Sequence, residues 1–462
     1  MKKVAVVGLD GLPWHILEKL FKWQVMPNLQ EITSKSLKGN LRSTIPPESA
    51  PAWTSIATGV NPGKHGVFGF TRPTENYDDS VIMSSRDVKY LRVHEMVALQ
   101  NLKSISINQL LTYPIKRIPG SYVITDWLSP EIKCSPEIKP YSKEYRGPTL
   151  GKASPLLRKD WNSEYAEVSS RVNTVNTLLR KVNWNLFWVI YSEPDHLLHR
   201  FYDLVLKKDQ RLLRLLRKID ETFAVVRDLA QLLIVVSDHG FRKFRYGVYS
   251  NTFLEQLGLA RKAKKRTIRD ITCQRQVAEQ KVKLRLPEGL YRYLSAIPAP
   301  IELALLKIYK QLVKADIKAS LTTHVDPNLS KAFVHGFGVY VKNRDLLNYL
   351  TLKLKRESFI GGVWRREELY SGMQVEAMPD LVIIPNYERG FAFRGDVIAP
   401  KTVVRRDFST HHPDGIIIIY KENQKSSWVN NLKVYDIVPT ILDFLELDIP
   451  KDTDGEVIAL PA

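Results

Sequence analysis

Five short apolar runs rich in β-branched residues, separated by helical patterns, restrict most severely what this chain can fold into; they occupy residues 4–8, 186–191, 232–236, 381–384 and 416–420. Runs that are apolar on both faces suit parallel strands covered by helices on either side. Residues 207–231 repeat Leu212, Leu213, Leu215, Leu216, Ile219 and Phe223 at helical spacing, and residues 434–447 carry a second such pattern. Alternation of this kind predicts an α/β fold built on a doubly wound, mainly parallel sheet.

The 462 residues can bury an ample core without a disulfide scaffold. Cys134 and Cys273, the two cysteines, lack the spacing of a metal cluster or redox pair, which fits a reducing, cytoplasmic setting. The first apolar run meets Asp10 far short of a signal or membrane segment, and no stretch approaches the roughly 20 apolar residues of a spanning helix. The expected protein is soluble, or peripheral to a membrane at most.

A formal charge of +19 favours anionic company: phosphorylated substrates, nucleic acid or acidic lipid head groups. About half of the excess sits in residues 261–320, which hold fifteen Lys or Arg against five Asp or Glu. Residues 252–329 show no strand series and read as a basic, mostly helical insertion, a cap on a discontinuous catalytic core of residues 1–251 and 330–462. A solvated surface is the plain account of such a segment, with membrane-surface and nucleic-acid contact as the alternatives. Nothing in the sequence speaks to oligomeric state.

Open α/β sheets carry their chemistry beyond the carboxyl ends of strands. Asp10 follows the first run directly, and Asp238 and His239 follow the run at 232–236. Asp195 and His199 follow the run ending at Tyr191, four residues apart and so on one helical face, while His411 stands just before Asp414, Gly415 and the run at 416–420. Each has a structural explanation when taken alone: Asp10 as a helix cap, residues 238–240 as a turn, His199 as a core or surface histidine. Together, three carboxylates and three imidazoles make the oxygen and nitrogen donor set that Zn²⁺ takes and Mn²⁺ also accepts.

Ser49 lies in the stretch Pro46-Pro47-Glu48-Ser49-Ala50-Pro51. Pro51 suits the first turn of a helix, which sets Ser49 immediately ahead of a helix N-terminus, where free amides and the dipole attract phosphate. A neighbouring cation would lower the pKa of its hydroxyl and let it attack as an alkoxide. A plain capping serine is the competing reading.

In chain order the motifs are Gly8-Leu9-Asp10-Gly11, the Ser49 segment through Asn61-Pro62-Gly63-Lys64-His65-Gly66, and Pro194-Asp195-His196-Leu197-Leu198-His199. Ser237-Asp238-His239-Gly240, Thr410-His411-His412-Pro413-Asp414-Gly415 and Asp436-Ile437-Val438-Pro439-Thr440 follow. The series resembles the type I phosphodiesterase and nucleotide pyrophosphatase branch of the alkaline phosphatase superfamily over nearly the whole chain. That resemblance implies an alkaline phosphatase-like fold and a metal-dependent hydrolase of phosphate monoesters or diesters, nucleotides included. It also implies two divalent ions, zinc or manganese. One would be held by Asp195, His199 and His411, the other by Asp10, Asp238 and His239, with Ser49 beside or bound to it. His411 is preferred to His412 because the family ligand stands four residues before the glycine that opens the final strand. Ser49 would attack phosphorus, expel an alcohol and leave a phosphoseryl-type intermediate for hydroxide to cleave.

The sequence also departs from the family pattern. Where animal nucleotide pyrophosphatases have threonine followed by Phe-Pro-Asn-His, this chain has Ser49 followed by Ala50, Pro51, Ala52 and Trp53, and Phe70 aligns with a phosphate-binding asparagine. Lys64 and Arg72 are then candidates to meet the substrate phosphate. Trp53 also replaces the arginine of the sulfatase motif, which disfavours sulfatase chemistry. Residues 195–201 and 330–340 look more like predicted prokaryotic phosphohydrolases or phosphomutases of the superfamily. A phosphomutase, which returns the phosphoryl group to another oxygen of the same molecule, is the first alternative function. A non-enzymatic anion- or membrane-binding protein on the same fold is the second; its signature would be lost ligands, and none is lost.

Overall fold

The computed structural model describes residues 2–74, 77, 80–150, 152, 154–263 and 323–460. Most of the expected 252–329 insertion, including its basic helical stretch, lies outside the described residues. The central sheet has eight strands in the order Ser427–Lys433, Leu37–Arg42, Asp414–Lys421, Leu232–Val236, Val4–Leu9, Leu186–Tyr191, Ser104–Ile107 and Ser121–Ile124. All its pairings are parallel except those of Asp414–Lys421, which runs antiparallel to both neighbours.

Alternate residues of Val4–Leu9 enter two different cores. Val4 and Val6 pack with Trp53, Ile56, Val97 and Ile441, whereas Ala5, Val7 and Leu9 pack with Leu17, Leu20, Val172, Leu213 and Leu216. A strand covered on both faces has no solvent side, which is why its sequence shows no polar alternation. The helix expected over 207–231 runs Gln210–Leu229, because Lys208 at φ 59° stops the preceding helix and Asp209 caps the new one by accepting from the Arg211 amide at 3.0 Å. The late pattern begins as a 3₁₀ turn, Val434–Asp436, and continues as the helix Ile437–Phe444.

Two runs expected as parallel core strands differ. The run at 416–420 belongs to the antiparallel strand Asp414–Lys421. That at 381–384 lies in Leu381–Pro385, within a separate four-stranded antiparallel sheet ordered Ala332–His335, Gly338–Val341, Leu381–Pro385, Ile360–Arg365. Its core, built from Phe333, Val339, Leu350, Leu354 and Ile383, also takes in Phe253 and Leu254. Burial on both faces makes a strand uniformly apolar whatever its direction, so the pattern alone does not reveal orientation.

A third sheet links this smaller unit to the centre. Gly240–Val248 lies between Phe391–Phe393 and Val403–His412, and its antiparallel register sets Gly240 opposite His412 and Phe241 opposite His411. Lys262 bridges Val325 antiparallel, so the chain leaves and returns side by side around residues 264–322. No helix among the described residues is long and apolar enough to cross a membrane.

Candidate functional site

Register performs the first step of positioning. Gly8 pairs with Ile190 on one side and Val236 on the other, so Asp10, Asp195 and Asp238 all emerge beyond the same sheet edge. Gly11 turns the chain there at φ 66°, and its amide donates to Asp238 Oδ1 at 3.1 Å. A Cβ at this position would lie 3.1 Å from Asp195 Oδ1 and 3.2 Å from His239 Cε1, on a backbone that L side chains resist.

Asp195 and His199 stand one turn apart on the helix Glu193–Leu206, with His199 Nε2 3.4 Å from Asp195 Oδ1. His411 is the penultimate residue of Val403–His412, and the ribbon register brings its ring onto that of His239, with centroids 3.7 Å apart. His411 Nε2 is 3.3 Å from Asp195 Oδ1 and 2.8 Å from His199 Nε2. His412 turns instead toward Asp414, at 3.6 Å, and toward the Tyr387 ring. Two donor groups result, Asp195 with His199 and His411, and Asp10 with Asp238 and His239, the atoms of each lying within 4.8 Å of one another.

Ser49 is the first residue of the helix Ser49–Thr58, one position further in than expected, because Glu48 is the cap. Its Oγ lies 3.1 Å from His239 Nε2 and 3.4 Å from Asp10 Oδ1. Pro51 carries no N–H and the Ala52 amide is taken by the Glu48 carbonyl, while the Ser49 and Ala50 amides have no acceptor among the described residues.

Burial of like charges dominates the electrostatics. Burial first, then the charges of Asp238 and Asp195, holds the Asp10 carboxyl well above the ordinary range. Asp238 is pushed up to about 7, chiefly by burial, with Asp195 adding and the Gly11 amide opposing. Asp195 goes the other way: burial would raise it, but His199 and His411 together hold it well below the usual carboxylate range. Burial lowers His199 to about 4 and also holds His239 well below its ordinary value. Burial also acts to lower His411, but the adjacent Asp195 carboxylate overcomes this and raises it.

The residues fit divalent cations on three counts. Asp195 Oδ1 and Asp238 Oδ2 are buried without a hydrogen-bond donor among the described residues. His239 Nδ1 faces the Gly240 carbonyl and His411 Nδ1 the Pro47 carbonyl, each at 3.1 Å; these acceptors assign the ring protons to Nδ1 and leave each Nε2 a lone pair. The Asp10 and Asp238 carboxyls, both raised by burial, lie beside a histidine that burial keeps neutral, a costly arrangement without positive charge between them.

Lys64 and Arg72, the candidates for substrate phosphate, are not brought to this cluster. Lys64 pairs with Asp454, and the half-exposed Arg72 has Asp87 at 3.9 Å. Phe70 packs on Trp127 at 5.5 Å. Two neighbours went unread in the sequence. The Trp53 indole N–H donates to Asp10 Oδ2 at 3.2 Å, although the sequence marked Trp53 only as a departure from relatives. Glu48, whose carboxyl is raised by burial, lies beside Ser49 in the nucleophile segment, and that adjacency was its one available signal.

Residues 4–397 match the family described as type I phosphodiesterase / nucleotide pyrophosphatase. No curated protein matches the sequence. Among solved structures, phosphonoacetate hydrolase from Sinorhizobium meliloti 1021 in complex with phosphonoformate is 14% identical, with 96% of this chain and 95% of that chain covered and a TM-score of 0.58. Murine ectonucleotide pyrophosphatase/phosphodiesterase 5 is 12% identical, with 98% of each chain covered and a TM-score of 0.54. The alkaline phosphatase PafA is 13% identical, again with 98% of each covered, at a TM-score of 0.56. At such identities these structures establish a shared alkaline phosphatase-like α/β fold.

Proposed function

The chain belongs to the type I phosphodiesterase/nucleotide pyrophosphatase family, hydrolases of phosphoester bonds, and from that premise we propose that Ser49 is its nucleophile at a two-metal centre cleaving phosphate monoesters or diesters, nucleotides included. The observation that carries this reading is the closing of Asp10, Asp238 and His239 around the Ser49 hydroxyl, with His411 stacked on His239 and joined to Asp195 and His199. One cation would be held by Asp195, His199 and His411, and the other by Asp10, Asp238, His239 and Ser49. This donor set suits Zn²⁺ and is accepted by Mn²⁺. When bound, such ions polarise phosphoryl oxygens and lower the pKa of a neighbouring hydroxyl.

The chain's own groups account for the remaining steps. The free Ser49 and Ala50 amides, at the positive end of their helix, draw the phosphoryl oxygens toward the nucleophile. Ser49 Oγ attacks phosphorus, its proton leaving toward the Asp10 carboxylate, 3.4 Å away. The alcohol departs with that proton, and water then cleaves the phosphoserine ester, its oxygen going to phosphorus and one of its protons to Oγ. The insertion expected over residues 252–329, between core segments 1–251 and 330–462, is supported by the adjacent chain ends at Lys262 and Val325 and narrowed by Phe253 and Leu254, which pack in the core of the smaller sheet; the stretch between those ends would cap the centre. The decisive variant is Ser49→Ala. It should keep its metal yet lose about a thousandfold or more of its turnover of bis(4-nitrophenyl) phosphate and 4-nitrophenyl phosphate. Full activity in the metal-loaded variant would remove Ser49 from the reaction.

A further inference from the structure

Both carboxylates of the Asp10, Asp238 and His239 group have one oxygen tethered to the protein and one turned toward Ser49 or His239. For Asp238 the tether is a backbone group, the Gly11 amide on Oδ1, which leaves Oδ2 3.3 Å from His239 Nε2. For Asp10 it is a side chain. The Trp53 indole donates to Oδ2 at 3.2 Å, while Oδ1 lies 3.4 Å from Ser49 Oγ and 3.8 Å from His239 Nε2. Among the described residues the indole is the one N–H that reaches Asp10 Oδ2.

Packing fixes the direction of that N–H. Trp53 is fully buried, and its ring lies against Gly8, two residues before Asp10: a Cβ on Gly8 would come within 2.4 Å of the indole Cη2. Val4, Val6, Ile56 and Ile190 belong to the same core and hold the ring from the sheet and from its own helix. Trp53 also stands four residues after Ser49 in the helix Ser49–Thr58, so the two occupy one helical face a turn apart. One helix thus carries both the nucleophile and the donor that holds the carboxylate beside it.

A carboxylate that turns freely about its Cβ–Cγ bond can meet a cation with either oxygen or with both. A donor on one oxygen removes that freedom, and ligands supported in this way hold their metal more tightly than unsupported ones. We propose that Trp53 is a positioning residue for the second cation: its indole N–H holds Asp10 Oδ2, so that Oδ1 alone is presented to the ion beside Ser49. The inference rests on the two-metal reading above.

Trp53→Phe deletes the N–H and keeps an aromatic ring. Zn²⁺ affinities of the wild type and this variant are measured by competition with a chromophoric chelator, then again on a His199→Ala background, which removes a ligand of the other ion. Trp53→Phe should weaken one of the two ions about 10- to 100-fold, and on the His199→Ala background it should weaken the ion that remains by the same factor. Unchanged affinities would overturn the role of Trp53 and leave the hydrolase reading intact. An equal loss at both ions would overturn it too, since a smaller ring that merely loosens the packing does not single out one site. Wild-type protein that binds fewer than two ions would overturn the two-metal reading and this inference with it. If Trp53→Phe does not fold, a crystal structure of the wild type grown with Zn²⁺ decides. Oδ1 alone on the ion with Oδ2 still on the indole supports the assignment, and both oxygens on the ion, or an indole turned away, overturns it.

Discussion

Replacing Asp238 by Asn isolates the electrostatics of the centre. Asp238 is fully buried, with Oδ1 accepting the Gly11 amide at 3.1 Å and Oδ2 without a donor among the described residues. Burial, with the Asp195 charge adding to it, raises its carboxyl from the ordinary 3.8 to about 7. In metal-free protein the folded state therefore keeps a proton that the unfolded state releases between pH 3.8 and about 7. Stability falls as pH rises through that window and is restored below it. At about 1.4 kcal/mol per pH unit, the full cost above pH 7 comes to about 4 kcal/mol, shrinking to about 2 kcal/mol at pH 5. The asparagine carbonyl can still accept from Gly11 and bears no charge. Under chelator, Asp238→Asn should therefore resist urea better than the wild type at pH 8, by a margin that narrows at pH 5. Added Zn²⁺ should reverse the order, because binding to the folded wild type stabilises it by mass action and the variant has lost a ligand. A chelated variant no more stable than the wild type at pH 8 would refute the reasoning, since the buried carboxylates would then carry no penalty for a cation to offset.

Two further predictions concern the nucleophile helix and the insertion. His65 accepts the Val67 amide at Nδ1, 3.1 Å away, and bonds Ser55 Oγ through Nε2 at 2.9 Å; burial, with Arg92 adding, lowers it from 6.5 to about 3. Its contribution is present above pH 6.5 and lost as pH falls toward 3, a change of up to about 5 kcal/mol, so urea midpoints should drop between pH 7 and 4 and drop less in His65→Asn; parallel pH profiles for the two proteins would contradict this. Deleting residues 264–322 should alter the preference among mono- and diesters while bound metal per chain stays the same, a short linker sufficing because the Ala263 amide meets the His324 carbonyl at 2.9 Å. Unchanged selectivity would discard the capping role.

The sequence by itself determined the α/β class and marked the six candidate donors. Val4–Leu9, Leu186–Tyr191 and Leu232–Val236 had to be apolar throughout because both their faces are covered; Asp10 and Asp238 stand out as the first charges after two of them, and Asp195 follows the third just behind Glu193. The four-residue step from Asp195 to His199 was equally legible, since helical geometry alone puts both on one face. Tertiary structure alone decided what depends on contacts between distant segments. The direction of Asp414–Lys421, and the place of Leu381–Pro385 in a second sheet, follow from which strands pair, and a strand buried on both faces reads the same in either direction. The antiparallel register of Gly240–Val248 with Val403–His412 turns His411 into the cluster and His412 away from it. Asp454 and Asp87 take up Lys64 and Arg72, and Trp53 finds Asp10, because a side chain's partner is set by what the packed chain brings within a few ångströms of it.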